Sequence, residues 1–214
     1  PCGVRGPAST MACVAEALGI ALPNPAAAPA PHADRLRIAE DSGRIAAELT
    51  TGMRRPSELI TRQSVENAFR IILAVSGSTN AIIHLTAIAG RAGVRFTLDD
   101  LNRLSDETPV LVDLKPVGAN YMEDLHAAGG LGAVLRELRP LLHLDALTVT
   151  GETLGERLDR EAGAWVDRAI VRPLDNPIDP HGGLVGLAGT LAPEGALLKR
   201  AAATPALMEH EGRA

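Results

Sequence analysis

Only two thiols occur in the chain, Cys2 and Cys13, and they occupy different contexts. Cys2 opens the stretch "PCGVRGPASTMACVAEALGIAL", a loop punctuated by Gly3, Gly6 and Pro7 that runs straight into a helical pattern. Just ahead of a helix, unpaired backbone N–H groups and the helix dipole favour negative charge, which stabilises a thiolate. The same surroundings suit an iron–sulfur cluster, whose sulfurs accept hydrogen bonds from backbone amides. Read more plainly, Cys2 is an inert buried thiol. Cys13 falls on the apolar side of the following helix and reads as core.

A second chemical candidate is "SGSTNAIIHL", where Gly77, Ser78, Thr79 and Asn80 precede a helix. Amides and side chains at that point can bind a carboxylate, and Ser78 or Thr79 can equally serve as an N-cap. In "NYMEDLHAAGG", Glu123, Asp124 and His126 offer two carboxylates and an imidazole at metal-ligand spacing. Acidic residues at a helix start are also expected from dipole complementarity, and the sequence places no second histidine beside them. His84 reads as a hydrogen-bonded core residue, while His143, His181 and His210 sit in loop contexts and read as solvent-exposed.

The elements that must position these residues are mostly helices. Ser9 or Thr10 is expected to cap a helix with Met11, Val14, Ala15, Leu18 and Leu22 at helical spacing, ended by Pro23. The Pro-rich "PNPAAAPAPHAD" reads as an ordered loop. A helix from about Asp34 to Leu49 is expected to bury Leu36, Ile38, Ile45 and Leu49. Further helices are predicted in "ITRQSVENAFRIILAVSG", in "STNAIIHLTAIAGRAG" and in "TLDDLNRLSDETP", then one or two in "GANYMEDLHAAGGLGAVLRELRPLL". "VLVDL" reads as a strand. From Leu147 the texture changes, and "AIVRPL", "GLVGLAGTL" and "GALLKR" read as short strands separated by Pro, Gly and Asp. We place a boundary near residue 160, between a helix-rich unit at 1–160 and a β-rich unit at 161–214.

The chain has 214 residues, 46% hydrophobic and 22% charged, with a formal charge of −5. It is long enough to bury a substantial core. The acidic balance and the lack of a dense Lys/Arg run argue against a nucleic-acid partner. No apolar run is long enough for a membrane span, and no signal-peptide pattern opens the chain, so a cytoplasmic location is expected. Two cysteines are too few for a disulfide framework. The first residue is Pro1, not methionine, and an internal piece of a longer protein is the expectation.

"CGVRGPASTMACVAEALGIALP" resembles the cluster-ligating segment of the dihydroxy-acid and sugar-acid dehydratase family. "SVENAFRIILAVSGSTNAIIHL", "PVLVDLKPVGANYMEDLHAAGG", "LHLDALTVTGETLGE" and "VRPLDNPIDPHGGLVGLAGTLAPEGALLK" resemble further family blocks in the family's order, so the resemblance covers essentially the whole chain. It implies the later part of an α/β cluster-binding domain followed by the beginning of a β-barrel domain. The implied activity is removal of water from a 2,3-dihydroxy carboxylate to give a 2-keto acid. The implied cofactors are an iron–sulfur cluster, [2Fe–2S] or [4Fe–4S], as Lewis acid and Mg2+ on the substrate carboxylate. Cys2 is then a cluster ligand, and Ser78, Thr79 and Asn80 are substrate-binding candidates. The catalytic serine, the other two cluster cysteines and most Mg2+ ligands are expected outside these 214 residues, so the isolated chain is expected to be inactive and the full-length protein to form a homo-oligomer.

The sequence departs from the pattern at Pro7, where the family usually has Thr, and at Arg5, where it often has Met. Ser9, in place of the Asn usual in the branched-chain branch, leans toward sugar acids. Two other readings stay open: a truncated, non-catalytic homologue acting as a binding module, and a mononuclear metal hydrolase built on Glu123, Asp124 and His126.

Overall fold

The computed structural model describes residues 3–52, 54–209 and 211. Cys2 and His210 therefore lie outside the described residues. Helix α1 spans Pro7–Ala17, α2 Ala33–Gly52, α3 Pro56–Leu59, α4 Arg62–Ala74, α5 Thr79–Arg91, α6 Leu98–Glu107, α7 Met122–Ala127, α8 Gly130–Glu137 and α9 Leu154–Arg160. Strands β1 (Leu184–Gly189) and β2 (Ala192–Lys199) follow and pair as an antiparallel hairpin.

Helix α4 is the axis of the fold. Every residue from Ser64 to Ala74 is buried, with α1, α5, α6 and α8 packed around it. A helix enclosed on all sides has to satisfy its polar residues from its neighbours. Asn67 does so with a reciprocal pair of bonds to the backbone of His143, at 2.9 and 2.8 Å. Arg70 donates to Thr108 Oγ1 at 2.8 Å and pairs with Glu107. Glu66 gathers Arg62, Arg103 and His143, whose hydrogen bonds and charge hold its carboxyl below the ordinary range although burial works the other way.

Several local expectations need correction. Helix α1 is capped at Gly6, whose N–H donates to Ser9 Oγ at 3.0 Å, so Ser9 serves from inside the first turn. It also stops earlier than Pro23. Gly19 takes φ +76°, and the N–H groups of Ile20 and Ala21 turn back to the carbonyl of Ala15, closing the helix end in the glycine-dependent way. Helix α2 buries less than its pattern suggests: Ile38, Ile45 and Leu49 are half-buried, whereas Leu36 is 77% exposed. His84 lies on the solvent side of α5 and is exposed, not a core residue.

The strand expected in "VLVDL" and the one expected in "AIVRPL" do not form a ladder. They meet only at an isolated bridge between Val112 and Val171, and Val110 makes a further isolated bridge with Asp179, beyond the second segment. Pro173 within the second segment and Pro177 just beyond it lack backbone donors, which stops the pairing from propagating. The two expected strands further on do form, as β1 and β2. This hairpin rests on α6: Asn102 both accepts from Gly186 N at 2.8 Å and donates to Gly186 O at 3.1 Å, and Ser105 Oγ donates to Leu184 O at 2.8 Å. Val171 and Leu184 are buried in the same apolar cluster as α4 and α8. Among the described residues the architecture is thus helix-rich with one two-stranded sheet.

Candidate functional site

The loop leading into α1 is held from both sides. Arg5 N donates to the carbonyl of Lys115 at 3.0 Å, and Met122 N at the start of α7 donates to the carbonyl of Gly3 at 2.8 Å. Sequence neighbours of Cys2 are therefore fixed by backbone bonds to two distant segments. Cys13 is buried on the core side of α1, at 1% exposure. Burial, with Glu16 adding to it and Arg5 opposing, pushes its thiol up to about 12. Such a thiol stays protonated at neutral pH and packs as a core side chain.

Thr10 links this loop to the turn before α5. Its Oγ1 donates to Gly6 O at 2.8 Å and accepts from Ser78 N at 3.2 Å. The two segments approach so closely that a Cβ on Gly77 would lie 2.7 Å from Thr10 Cγ2. Ser78 is the N-cap of α5, accepting from Asn80 N at 3.3 Å. Thr79 is half-buried and Asn80 is exposed beside it. Ser78, Thr79 and Asn80 thus stand together next to the loop that follows Cys2.

Sequence reasoning missed what lies between these segments. Ser76 sits at φ +49°, a conformation costly for a residue with a side chain, and is buried under Gly183. Arg5 is 3% exposed, and burial lowers its pKa to about 10 although Cys13 and Asp113 oppose the shift. Lys199, from the end of β2, donates to Gly77 O at 3.1 Å. Its amine is pulled down to about 8, first by burial and then by Arg5. Arg5 and Ser76 line a cavity of about 240 Å³ that Asp113, Gly118, Asp179 and Ala201 also border. The only sequence signal was the basic residue in an otherwise small-residue loop.

Glu123, Asp124 and His126, which the sequence offered at metal-ligand spacing, do not come together as a site. Asp124 caps α7, accepting from Tyr121 N at 2.7 Å, and Glu123 is exposed. His126 instead faces Asp34 at 3.5 Å, with His32 3.2 Å from the same carboxylate oxygen. These three are the one group of potential metal-binding side chains found among the described residues. His143, expected to be free in solvent, is part-exposed and bonds Glu66 at 2.9 Å.

The N-terminal domain of the dihydroxy-acid/6-phosphogluconate dehydratases matches residues 1–157, and the C-terminal domain of the same group matches residues 169–214. The chain belongs to the dihydroxy-acid/6-phosphogluconate dehydratase family. It is 48% identical over 200 residues to a dihydroxy-acid dehydratase of Dinoroseobacter shibae, covering 92% of this chain and 34% of that protein. It is 44% identical over 209 residues to the dihydroxy-acid dehydratase of Caldicellulosiruptor bescii, covering 97% of this chain and 38% of the relative. The enzyme of the same name from Dehalococcoides mccartyi is 44% identical over 207 residues, 97% of this chain and 37% of its own length. The chain therefore spans a little over a third of the length of the curated relatives it matches. In this chain Thr10 joins the loop that follows Cys2 to the turn bearing Ser78 to Asn80.

Proposed function

We propose that the complete protein is a hydro-lyase that dehydrates a 2,3-dihydroxy carboxylate to a 2-keto acid, with the C2 proton and the C3 hydroxyl leaving as water and the resulting enol tautomerising. The observation that carries this reading is the match to the dehydratase family along almost the whole chain, Cys2 included. The substrate is an aldonic sugar acid or an acid of the 2,3-dihydroxyisovalerate type; Ser9 in the loop leans toward the former, and the names of the relatives toward the latter. A cytoplasmic homo-oligomer using Mg2+ completes the proposal.

The residues present suit an anionic cluster at Cys2. The alternative thiol, Cys13, is buried in the core, while the loop that follows Cys2 is anchored by backbone bonds and carries a buried cation, Arg5. Cys2 would hold one iron. When bound, the cluster supplies a Lewis acid for the departing hydroxyl. For its part, this chain fixes the ligand loop through the Arg5 N and Gly3 O bonds and keeps Ser78 and Thr79 oriented through the cap of α5.

The test is anaerobic reconstitution of the full polypeptide and assay against aldonic acids and 2,3-dihydroxyisovalerate. Turnover with a 2-keto acid product is expected, and residues 1–214 alone are expected to be inactive. Cys2→Ser should lose both the visible charge-transfer absorbance and the activity. Cys13→Ala should keep both at a cost on the order of 1 kcal/mol in stability. A full polypeptide that binds acids without turnover would instead establish the non-catalytic binding module.

A further inference from the structure

Two imidazoles and a carboxylate converge where α2 begins and α7 ends. His32 and Asp34 flank the first residue of α2, and His126 lies in the last turn of α7. His32 Nδ1 and His126 Nε2 approach one oxygen, Asp34 Oδ2, at 3.2 and 3.5 Å, and the three ligand atoms all lie within 4.8 Å of one another. Both contacts are longer than a charge-assisted N–H···O bond of about 2.7–2.9 Å. Ligand atoms around a tetrahedral ion with bonds of about 2.0–2.1 Å stand about 3.3–3.4 Å apart, a spacing that fits both.

The ligand atoms are also presented correctly. His32 Nδ1 accepts from the N–H of Asp34 at 3.3 Å, so it is the lone-pair nitrogen of a neutral ring. A lone-pair nitrogen and a carboxylate oxygen 3.2 Å apart repel unless a cation lies between them. Arg37 Nη1 donates to the other carboxylate oxygen, Oδ1, at 2.7 Å and leaves Oδ2 to the imidazoles. Outer bonds of this kind orient ligating carboxylates. The two elements are held by bonds that do not involve the ligands, from Arg35 Nε to Ala28 O at 2.9 Å and from Met122 N to Gly3 O at 2.8 Å. All three side chains reach solvent, so an ion can enter and water can complete its coordination.

We propose that His32, Asp34 and His126 bind one divalent ion of the zinc class and so fasten α2 to α7. Two imidazoles suit Zn2+, Co2+ or Cu2+, whereas Mg2+ prefers oxygen ligands. The site uses none of the residues given to the cluster or the substrate, and it does not depend on the hydro-lyase reading. Most of α2 is exposed, so a clip at its first turn acts where the fold holds the helix least.

The test is a Zn2+ titration of the full polypeptide against a chromogenic chelator, with the protein anaerobic, carrying its cluster and in excess Mg2+. Native protein should bind one Zn2+ at a site that His32→Gln and His126→Gln each weaken at least about 100-fold, more than the loss of an outer-shell partner costs. Glu123→Gln, on the same helix as His126 but outside the group, should keep the site. In native protein Zn2+ should raise the melting temperature and slow amide exchange in residues 33–52, and in the two histidine variants it should do neither. Each protein is compared with and without the metal, so a variant's own stability does not enter.

Equal Zn2+ affinity in native protein and both histidine variants would overturn the site. So would a cobalt difference spectrum, native minus His126→Gln, that carries a thiolate charge-transfer band, because the ion would then sit on a cysteine. Zn2+ bound through the histidines without slower exchange in α2 would overturn the fastening.

Discussion

Glu16 of α1 and Arg157 of α9 meet inside the protein, with Nη2 donating to Oε1 at 2.6 Å. Burial pushes the Glu16 carboxyl up despite the guanidinium beside it. Burial also works against the Arg157 charge, but Glu16 and Glu161 outweigh it and hold its pKa above the ordinary value. Removing one partner of such a pair strands the other, so Arg157→Met should destabilise by about 3–5 kcal/mol in urea unfolding. Adding Glu16→Gln to it should recover much of that loss. A second residue-scale outcome concerns Lys199, whose amine sits at about 8 in the folded protein against an ordinary 10.5. Between those values the unfolded chain binds more protons, so this residue makes stability rise with pH from about 8 to 10.5. Comparing unfolding across that window in native protein and Lys199→Met should show the slope flattening in the variant. Neither residue could be singled out from sequence, because each owes its state to partners far along the chain.

At the scale of elements, the junction of α1 and α5 carries the most consequence. Gly77 leaves no room for a side chain against Thr10, so Gly77→Ala should cost about 1–3 kcal/mol and disturb the bond from Ser78 N to Thr10. Ser78→Ala should cost about 1 kcal/mol by removing the cap of α5. Thermal melts of the two variants check both figures. The helices themselves were legible in the apolar spacing, and so was the cap at Ser78. The end of α1 was misplaced because the apolar pattern continues through Ile20 and Leu22 while Gly19 has already turned the chain. The segments around Val112 and Val171 were read as strands from their β-branched content, which says nothing about whether a partner's backbone donors are present.

The whole molecule is organised around α4, with the β1–β2 hairpin tied to α6 by Asn102 and Ser105. Amide exchange should therefore be slowest in α4, enclosed on every side, and faster in the hairpin, which packs through one face. Asn102→Ala should speed exchange in residues 184–199 while leaving α4 protected. Equal acceleration in both would show that hairpin and helices open as a single unit. Helix α2 lies at the other extreme, held by Ile38, Ile45 and Leu49 and by the contacts of Asp34 and Arg35 in its first turn, with most of its other residues exposed, and should exchange early.

By itself the sequence determined the helix-rich character, the two strands of the β1–β2 hairpin and membership in the dehydratase family, because periodicity, capping residues and ordered motif blocks are local properties written along the chain. Cys13 as a core residue was equally readable from its place on the apolar face of α1. Only the tertiary structure decided which residues share a site. Arg5 and Ser76 are brought to one cavity, Lys199 is laid against Gly77, and His126 finds Asp34 and His32 in place of its sequence neighbours Glu123 and Asp124. Those juxtapositions depend on how helices stack around α4, and burial then fixes the charge state of each group, which no pattern of neighbouring letters encodes.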